Sequence, residues 1–383
     1  MRELHSHNVV AWCIAIVIVA LTLQIRGADA PMQKIVFRQG VDGYHTYRIP
    51  ALLVTKAGTV IVICEGRKAG SGDAGDIDLL VKRSVDGGRT WEPQGLIYEE
   101  GGAAKVTIGN PCPVVDQESG TIWLPFCRDN NDVLITYSSD DGRTWAEPRE
   151  ITSDVKLPSW TWYATGPGVG IQMQSGRYKG RMVIPCDHRE TATGKFMYSH
   201  AFYSDDRGKT WTLGGTVGLH TDESQVVELI DGRLLLNIRN YWGRDGKRPE
   251  RGGRRALAYS ENGGESWSEV TFDSTLIEPM CQASFVRYSR ATGGKGRNRL
   301  LFSNPAHRSE RVKMTVRLSY DEGETWPVAR QLHEGPSSYS CLTVLPDGAI
   351  GCIYEGGEDS RRQWLRFARF TLSWLTEGKD TGD

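Results

Sequence analysis

Charged and hydrogen-bonding residues gather where apolar runs of this chain end. Glu65-Gly66-Arg67, Arg128-Asp129, Asp187-His188-Arg189, Arg239-Asn240, His307-Arg308 and Glu355 each close such a run. Two readings are open. These can be ordinary solvated strand ends, which polar residues usually are. Alternatively, the ends reach one mouth of a closed fold, and arginines from distant parts of the chain meet in one cavity. Arginines so placed repel one another unless an anion joins them, and a planar guanidinium pairs bidentately with a carboxylate. The recurrence of arginine favours the second reading, a pocket that binds an acid. The sequence shows no metal-ligand spacing, phosphate loop or dinucleotide motif, so the expected chemistry needs no cofactor.

The elements that must position these residues are announced by a repeated octapeptide, Ser-x-Asp-x-Gly-x-Thr-Trp. Its copies are SVDGGRTW, SSDDGRTW, SDDRGKTW, SENGGESW and SYDEGETW, closing on Trp91, Trp145, Trp211, Trp267 and Trp326. The fourth has Asn262 for Asp and Ser266 for Thr, which keeps the hydrogen-bonding capacity. Each reads as a tight turn: the Asp or Asn caps backbone N–H groups, Gly takes the positive-φ position and Trp packs beneath. A repeat of this length holds about four short strands, the size of a propeller blade.

A second pattern interleaves with the first. Apolar strand, Gly-containing turn and apolar strand recur at 51–65, 113–128, 169–188, 225–239, 283–306 and 342–355, the mark of antiparallel hairpins. The first five are followed by a further strand and the octapeptide. The sixth is followed by an alternating strand over 364–375, and its missing partner is most simply the N-terminal segment 32–39. Pairing the chain ends in this way closes a ring and removes exposed edges. The expectation is all-β: one six-bladed propeller of four-stranded sheets over 31–383, closed by the N-terminal strand, with no helix and no linker.

Formal net charge is −1 over 383 residues and 39% are hydrophobic, which argues against a nucleic-acid partner and against disorder. The apolar run 9–23 follows Arg2 and precedes Ala28-Asp29-Ala30, a small-x-small pattern. Residues 1–30 therefore read as a signal peptide cut after Ala30, giving a secreted or periplasmic chain with no membrane contact once mature; an uncleaved anchor is the alternative. Cys64, Cys112, Cys127, Cys186, Cys281, Cys341 and Cys352 remain, an odd number at no zinc spacing and mostly within apolar patterns, so buried free thiols are expected.

Tyr47-Arg48-Ile49-Pro50 resembles the Phe/Tyr-Arg-Ile-Pro motif that opens the catalytic domain of exo-α-sialidases, and the octapeptides look like that family's Asp boxes. The resemblance covers 34–375 and is closest to secreted bacterial enzymes of the retaining type. It implies hydrolysis of terminal sialic acid from glycans, glycoproteins or gangliosides through a covalent tyrosyl intermediate. A trans-sialidase, or a propeller that binds sialic acid without catalysis, is the alternative.

Carried over residue by residue, Arg48, Arg239 and Arg311 look like the three arginines that grip the sialic acid carboxylate. Arg308 is the fallback for the third, and Arg317 is read as structural. Glu355 resembles the carboxylate that holds the first arginine. Asp73 stands where the family keeps its general acid/base, with Asp76 and Asp78 as decoys; by itself an Asp in such a Gly/Asp loop reads as turn chemistry. Tyr339 matches the nucleophile and Glu223 its partner, although an isolated Tyr would ordinarily be read as packing. Arg67 resembles a contact to the O4 side of the sugar. Asn110 replaces the Asp that many relatives place there. Residues 160–168 look like a loop reaching the N-acyl or leaving-group side, and can equally be core. A tyrosine nucleophile suits this substrate, because an attacking Asp or Glu would meet the carboxylate on the reacting carbon.

Overall fold

The computed structural model describes residues 30–382 apart from 102–103, 193, 195, 243–248, 292 and 294. The segment expected to act as a signal peptide, ahead of Ala30, lies outside the described residues.

All six expected hairpins form, each from strands that run antiparallel across a Gly-containing turn. The assembly of those hairpins corrects the expectation of six four-stranded blades. The described strands make five sheets: two of four strands, two of five, and one of seven. The first four sheets follow the chain from Thr46–Val54 to Thr271–Ile277. The seven-stranded sheet takes all strands from Ser284–Ser289 to Trp364–Phe370 and adds Met32–Arg38 at its edge.

The merger has a local cause. Strand Val328–Val344 runs unbroken for 17 residues. Its first half pairs with Val312–Ser319 as far as Pro336, and from Ser337 it pairs with Ile350–Gly356. Gly335-Pro336 therefore passes the strand from one partner to the next without a turn. Proline suits the crossover because it has no N–H to contribute to either ladder. The N-terminal strand does pair with Trp364–Phe370, but as the outer edge of this large sheet, not as the last strand of a separate sixth blade.

The chain end also differs from expectation. The alternating pattern of 364–375 is strand only over Trp364–Phe370, and Leu372–Leu375 forms a short helix whose first turn is capped by the Thr371 hydroxyl accepting from Trp374 N. A second four-residue helix spans Thr152–Val155.

The octapeptide turns join neighbouring sheets. In the first, Ser84 Oγ accepts from Gly88 N at 2.8 Å, Asp86 Oδ1 accepts from Arg89 N and Thr90 N at 2.9 Å, and Thr90 Oγ1 donates to Asp86 Oδ2 at 2.6 Å. In the fourth, Asn262 Oδ1 still accepts from Ser266 N, and its amide donates to Ser266 Oγ at 2.9 Å. Trp91 packs edge-on against Phe367 of the seven-stranded sheet, while Trp326 meets Phe285 and Phe302. Each turn thus inserts a tryptophan into the apolar layer between two sheets. The seven cysteines among the described residues are buried and unpaired.

Candidate active site

Strands of three sheets meet at the candidate site, where a bulge sets the first arginine. The pairing of Thr46–Val54 with Val60–Arg67 shifts register between Arg48 and Ala51. Within the bulge Ile49 adopts φ 56°, a left-handed conformation rare for a β-branched residue. The Ile49 N–H donates to Glu355 Oε1 at 3.0 Å, and Arg48 Nε and Nη2 reach the two Glu355 oxygens at 3.1 and 3.3 Å. Burial opposes the charge on Arg48, but Glu355, Tyr339 and Asp73 outweigh it and keep the guanidinium protonated.

Tyr339 lies two residues beyond the strand crossover, among three guanidinium groups. Its hydroxyl donates to Glu223 Oε1 and accepts from Arg239 Nη1 at 3.2 Å. Arg239 Nη1 also donates to Glu223 Oε2 at 2.6 Å, and Nη2 to the Tyr241 hydroxyl at 2.9 Å. The Arg48 and Arg311 guanidinium carbons lie 5.0 and 5.7 Å from the centre of the Tyr339 ring. Arg311 is aimed by Ser338 Oγ at 3.2 Å and Met280 O at 2.8 Å.

A buried ion pair fastens the wall behind them. Arg255 Nη1 donates to Glu278 Oε2 at 2.5 Å and to Cys281 O at 2.7 Å, and Glu278 Oε1 accepts from Asn240 N at 2.7 Å. This ties the strand carrying Arg239 to the segment whose Met280 carbonyl holds Arg311.

Electrostatics divides the carboxyl groups. Burial pushes Glu223 above the ordinary carboxylate range despite Arg239 beside it, which makes it a better proton acceptor. Burial, then the Glu223 charge, pushes the Tyr339 phenol well up, so at rest it is neutral. Asp73 is the opposite case. Its side chain is 77% exposed, and its Oδ1 accepts from Arg48 Nη1 at 2.8 Å and Arg67 Nη1 at 2.7 Å. Partial burial pushes it up, but Arg48 and then Arg67 prevail and hold it below its ordinary value.

Residues 58–352 match the BNR repeat-like domain family. The chain is 30% identical to an exo-alpha-sialidase of Aspergillus fumigatus, over 88% of this chain and 86% of that protein. The chain belongs to the sialidase family. A sialidase of Micromonospora viridifaciens is 35% identical over 98% of this chain, which spans 61% of that relative's length. The Hadza microbial sialidase Hz136 superposes with a TM-score of 0.79 at 32% identity, covering 90% of this chain and 69% of that one. An intramolecular trans-sialidase from Ruminococcus gnavus shares the fold, with a TM-score of 0.74 at 20% identity.

Within this sialidase fold, Arg48, Arg239, Arg311, Glu223, Tyr339, Glu355 and Asp73 lie together. Arg308 is turned away, with Nη1 3.5 Å from Gly253 O, and Arg317 lies on strand Val312–Ser319 opposite Phe302. Arg67, expected to contact the O4 side of the sugar, lies beside Asp73. It is buried, with Nε and Nη2 on Glu65 at 2.9 and 2.6 Å and Nη1 on Ser71 O, Gly72 O and Asp73. It is the root of the Asp73 loop. Asn110 takes φ 57°, donates its N–H to Glu65 Oε1 at 3.0 Å and accepts from Thr165 Oγ1 through its carbonyl at 2.5 Å.

Several strand ends that suggested the pocket lie elsewhere. Arg128 pairs with Glu100, Arg189 covers Trp162, and His307 caps the N–H groups of Ser309 and Glu310. The expected loop at 160–168 begins as strand Trp160–Thr165, and its Trp160 stacks on His188 in the core. Tyr241, Asp222 and Arg362 escaped the sequence reading. Arg362 donates to Ser71 Oγ at 2.7 Å at the base of the Asp73 loop, and Asp222 stands directly before Glu223.

Proposed function

We propose that this chain is a retaining exo-α-sialidase acting on terminal sialic acid of glycans, glycoproteins or gangliosides. One observation carries the reading: the Tyr339 hydroxyl is bonded to Glu223 inside a ring formed by Arg48, Arg239 and Arg311. The three guanidinium groups hold the substrate carboxylate and fix the reacting carbon over Tyr339. Glu223 takes the phenol proton as the Tyr339 oxygen attacks, and Asp73 protonates the departing glycosidic oxygen. Asp73 then removes a proton from water, whose oxygen displaces Tyr339, and Glu223 gives the phenol proton back to the departing Tyr339 oxygen. Two inversions give net retention. Glu355 and the Ile49 bulge keep Arg48 aimed when the site is empty.

The decisive experiment is turnover of a fluorogenic α-sialoside, followed by proton NMR of the released sugar. The α-anomer should appear first; the β-anomer first would sink the mechanism, and a product other than free sialic acid would favour transfer over hydrolysis. Export guided by the segment ahead of Ala30 belongs to the same proposal, and N-terminal sequencing of chain recovered outside the cell tests it.

A further inference from the structure

Beneath Tyr339 and Glu223 lies a third carboxyl group that this mechanism does not use. Asp187 sits on strand Met182–Glu190, between Ala164 on one neighbour and Ser199 on the other, and is fully buried. Neither of its oxygens meets an N–H or O–H donor among the described residues. The charged groups facing it are the carboxyls of Asp222 and Glu223 and the guanidinium of Arg239. Asp222 is itself buried and lies 3.5 Å from Arg239 Nε, while Arg239 Nη1 holds Glu223.

Two carboxyl groups can share a hydrogen bond only if one of them carries a proton. The charges around them require the same. Asp187, Asp222 and Glu223 are buried together, and the guanidinium in ion-pair contact with Asp222 and Glu223 is Arg239, so three negative charges there would go largely uncompensated. The other ionisable groups that face Asp187 are Cys127 on Ile122–Arg128, Tyr163 on Trp160–Thr165 and Cys186 on its own strand. Burial pushes each of these up, so all are neutral and supply no countercharge. Asp222 and Glu223 each touch Arg239, whereas Asp187 does not, so the proton resides on Asp187. Its own burial and the charges of Asp222 and Glu223 raise its carboxyl well above the ordinary range.

We infer that Asp187 is a positioning residue: its protonated carboxyl donates to Asp222, and Asp222 anchors Arg239 Nε so that the guanidinium stays against Glu223 and Tyr339. The proton remains in place throughout turnover. An ionised Asp187 would draw Arg239 down toward itself, away from Glu223. The inference rests on the reaction proposed above for its kinetic consequence, but the proton itself is observable without turnover.

The test compares wild type, Asp187→Asn and Asp187→Leu by infrared spectroscopy, by hydrolysis of a fluorogenic sialoside and by thermal unfolding. At neutral pH wild type should show the C=O stretch of a buried, protonated carboxylic acid, and Asp187→Asn should lack it. Asn keeps a donor to Asp222 without a titratable proton, so it should recover most of the rate that Leu loses. Leu removes one buried hydrogen bond and should lower kcat/KM by about tenfold or more. If Asp187→Leu does not fold, the infrared band and the Asn kinetics decide. Absence of that band from wild type, or an Asn variant as impaired as Leu, would overturn the inference. An infrared result as expected, in a wild type that turns over no sialoside, would instead overturn the proposed reaction and leave the carboxyl pair standing.

Discussion

Asp73 Oδ1 lies 2.8 Å from Arg48 Nη1, so the proposed acid is paired with an arginine proposed to hold the substrate. An incoming carboxylate competes with Asp73 for that guanidinium. Displaced, Asp73 loses the larger of the two arginine influences that hold it below its ordinary value and moves toward the protonated form that a general acid needs. Asp73→Asn should therefore bind a 2,3-dehydro sialic acid analogue at least as tightly as wild type. It should lose about 10²- to 10⁴-fold in hydrolysis of a natural sialoside, and much less with an aryl sialoside whose leaving group needs no proton. Calorimetric titration and paired kinetics check this. Weaker analogue binding, or equal losses on both substrates, would refute it.

The three guanidinium groups around Tyr339 give a ranking for three single variants. Truncating a charge-assisted contact to a bound carboxylate costs about 1.5–3 kcal/mol, which is about ten- to a hundred-fold in affinity. Arg311→Ala should show that loss for the same analogue. Arg308→Ala should stay near wild type, because Arg308 is exposed and its closest partner is a carbonyl at 3.5 Å. Arg317→Ala should also leave affinity unchanged, whatever it does to stability. Loss on Arg308→Ala in place of Arg311→Ala would move the third contact back by one turn of the chain.

Much of this site was legible because its chemistry is carried by residue types in fixed local motifs. Arg48 is announced by Tyr-Arg-Ile-Pro, and the octapeptides mark the turns that lock neighbouring sheets. What was not legible depends on long-range pairing. At Gly335-Pro336 the backbone stays extended and two expected blades become one sheet. Arg67 and Arg128 look alike in sequence, each at a strand end. Glu65 and the Asp73 loop enclose the first, while Glu100 draws the second to the surface. Asp187 stood out only as one of several polar strand ends, and its partner was not legible, since only the fold brings Asp222 from another sheet toward it.

The octapeptide turns predict a definite response to acid. Slight burial opposes it, but hydrogen bonds from the Thr90 hydroxyl and N–H, Ser84 and Arg89 N bring Asp86 down to about 2, and Asp140 in the second copy behaves alike. Unfolded Asp titrates near 3.9. A carboxyl lowered on folding stabilises the native state above its unfolded value, and that contribution disappears as pH falls through the folded value. Stability should therefore fall between about pH 4 and pH 2 as these turns protonate. The double variant Asp86→Asn, Asp140→Asn copies the amide of the fourth turn and should flatten this part of the Tm-against-pH curve. An unchanged slope would place the acid sensitivity elsewhere.

Gly88 offers the sharpest test of the turns as joints between sheets. It sits in the first octapeptide with φ +87°, a conformation that favours glycine, and a Cβ built on it would lie 2.1 Å from Phe367 Cε1. Phe367 is fully buried on the seven-stranded sheet, packed edge-on against Trp91, so it has little room to yield. Two costs coincide in Gly88→Ala: backbone strain of about 1–2 kcal/mol and overpacking of about 1–3 kcal/mol. Gly40, at φ +74° with nothing within 4 Å of its Cβ position, carries the first cost alone. Gly88→Ala should therefore destabilise the fold by clearly more than Gly40→Ala in denaturant unfolding. Phe367→Leu in the Gly88→Ala background should recover part of the difference by opening space at the joint. Equal losses for the two glycine variants would mean that the first turn does not lock its sheet against the seven-stranded one.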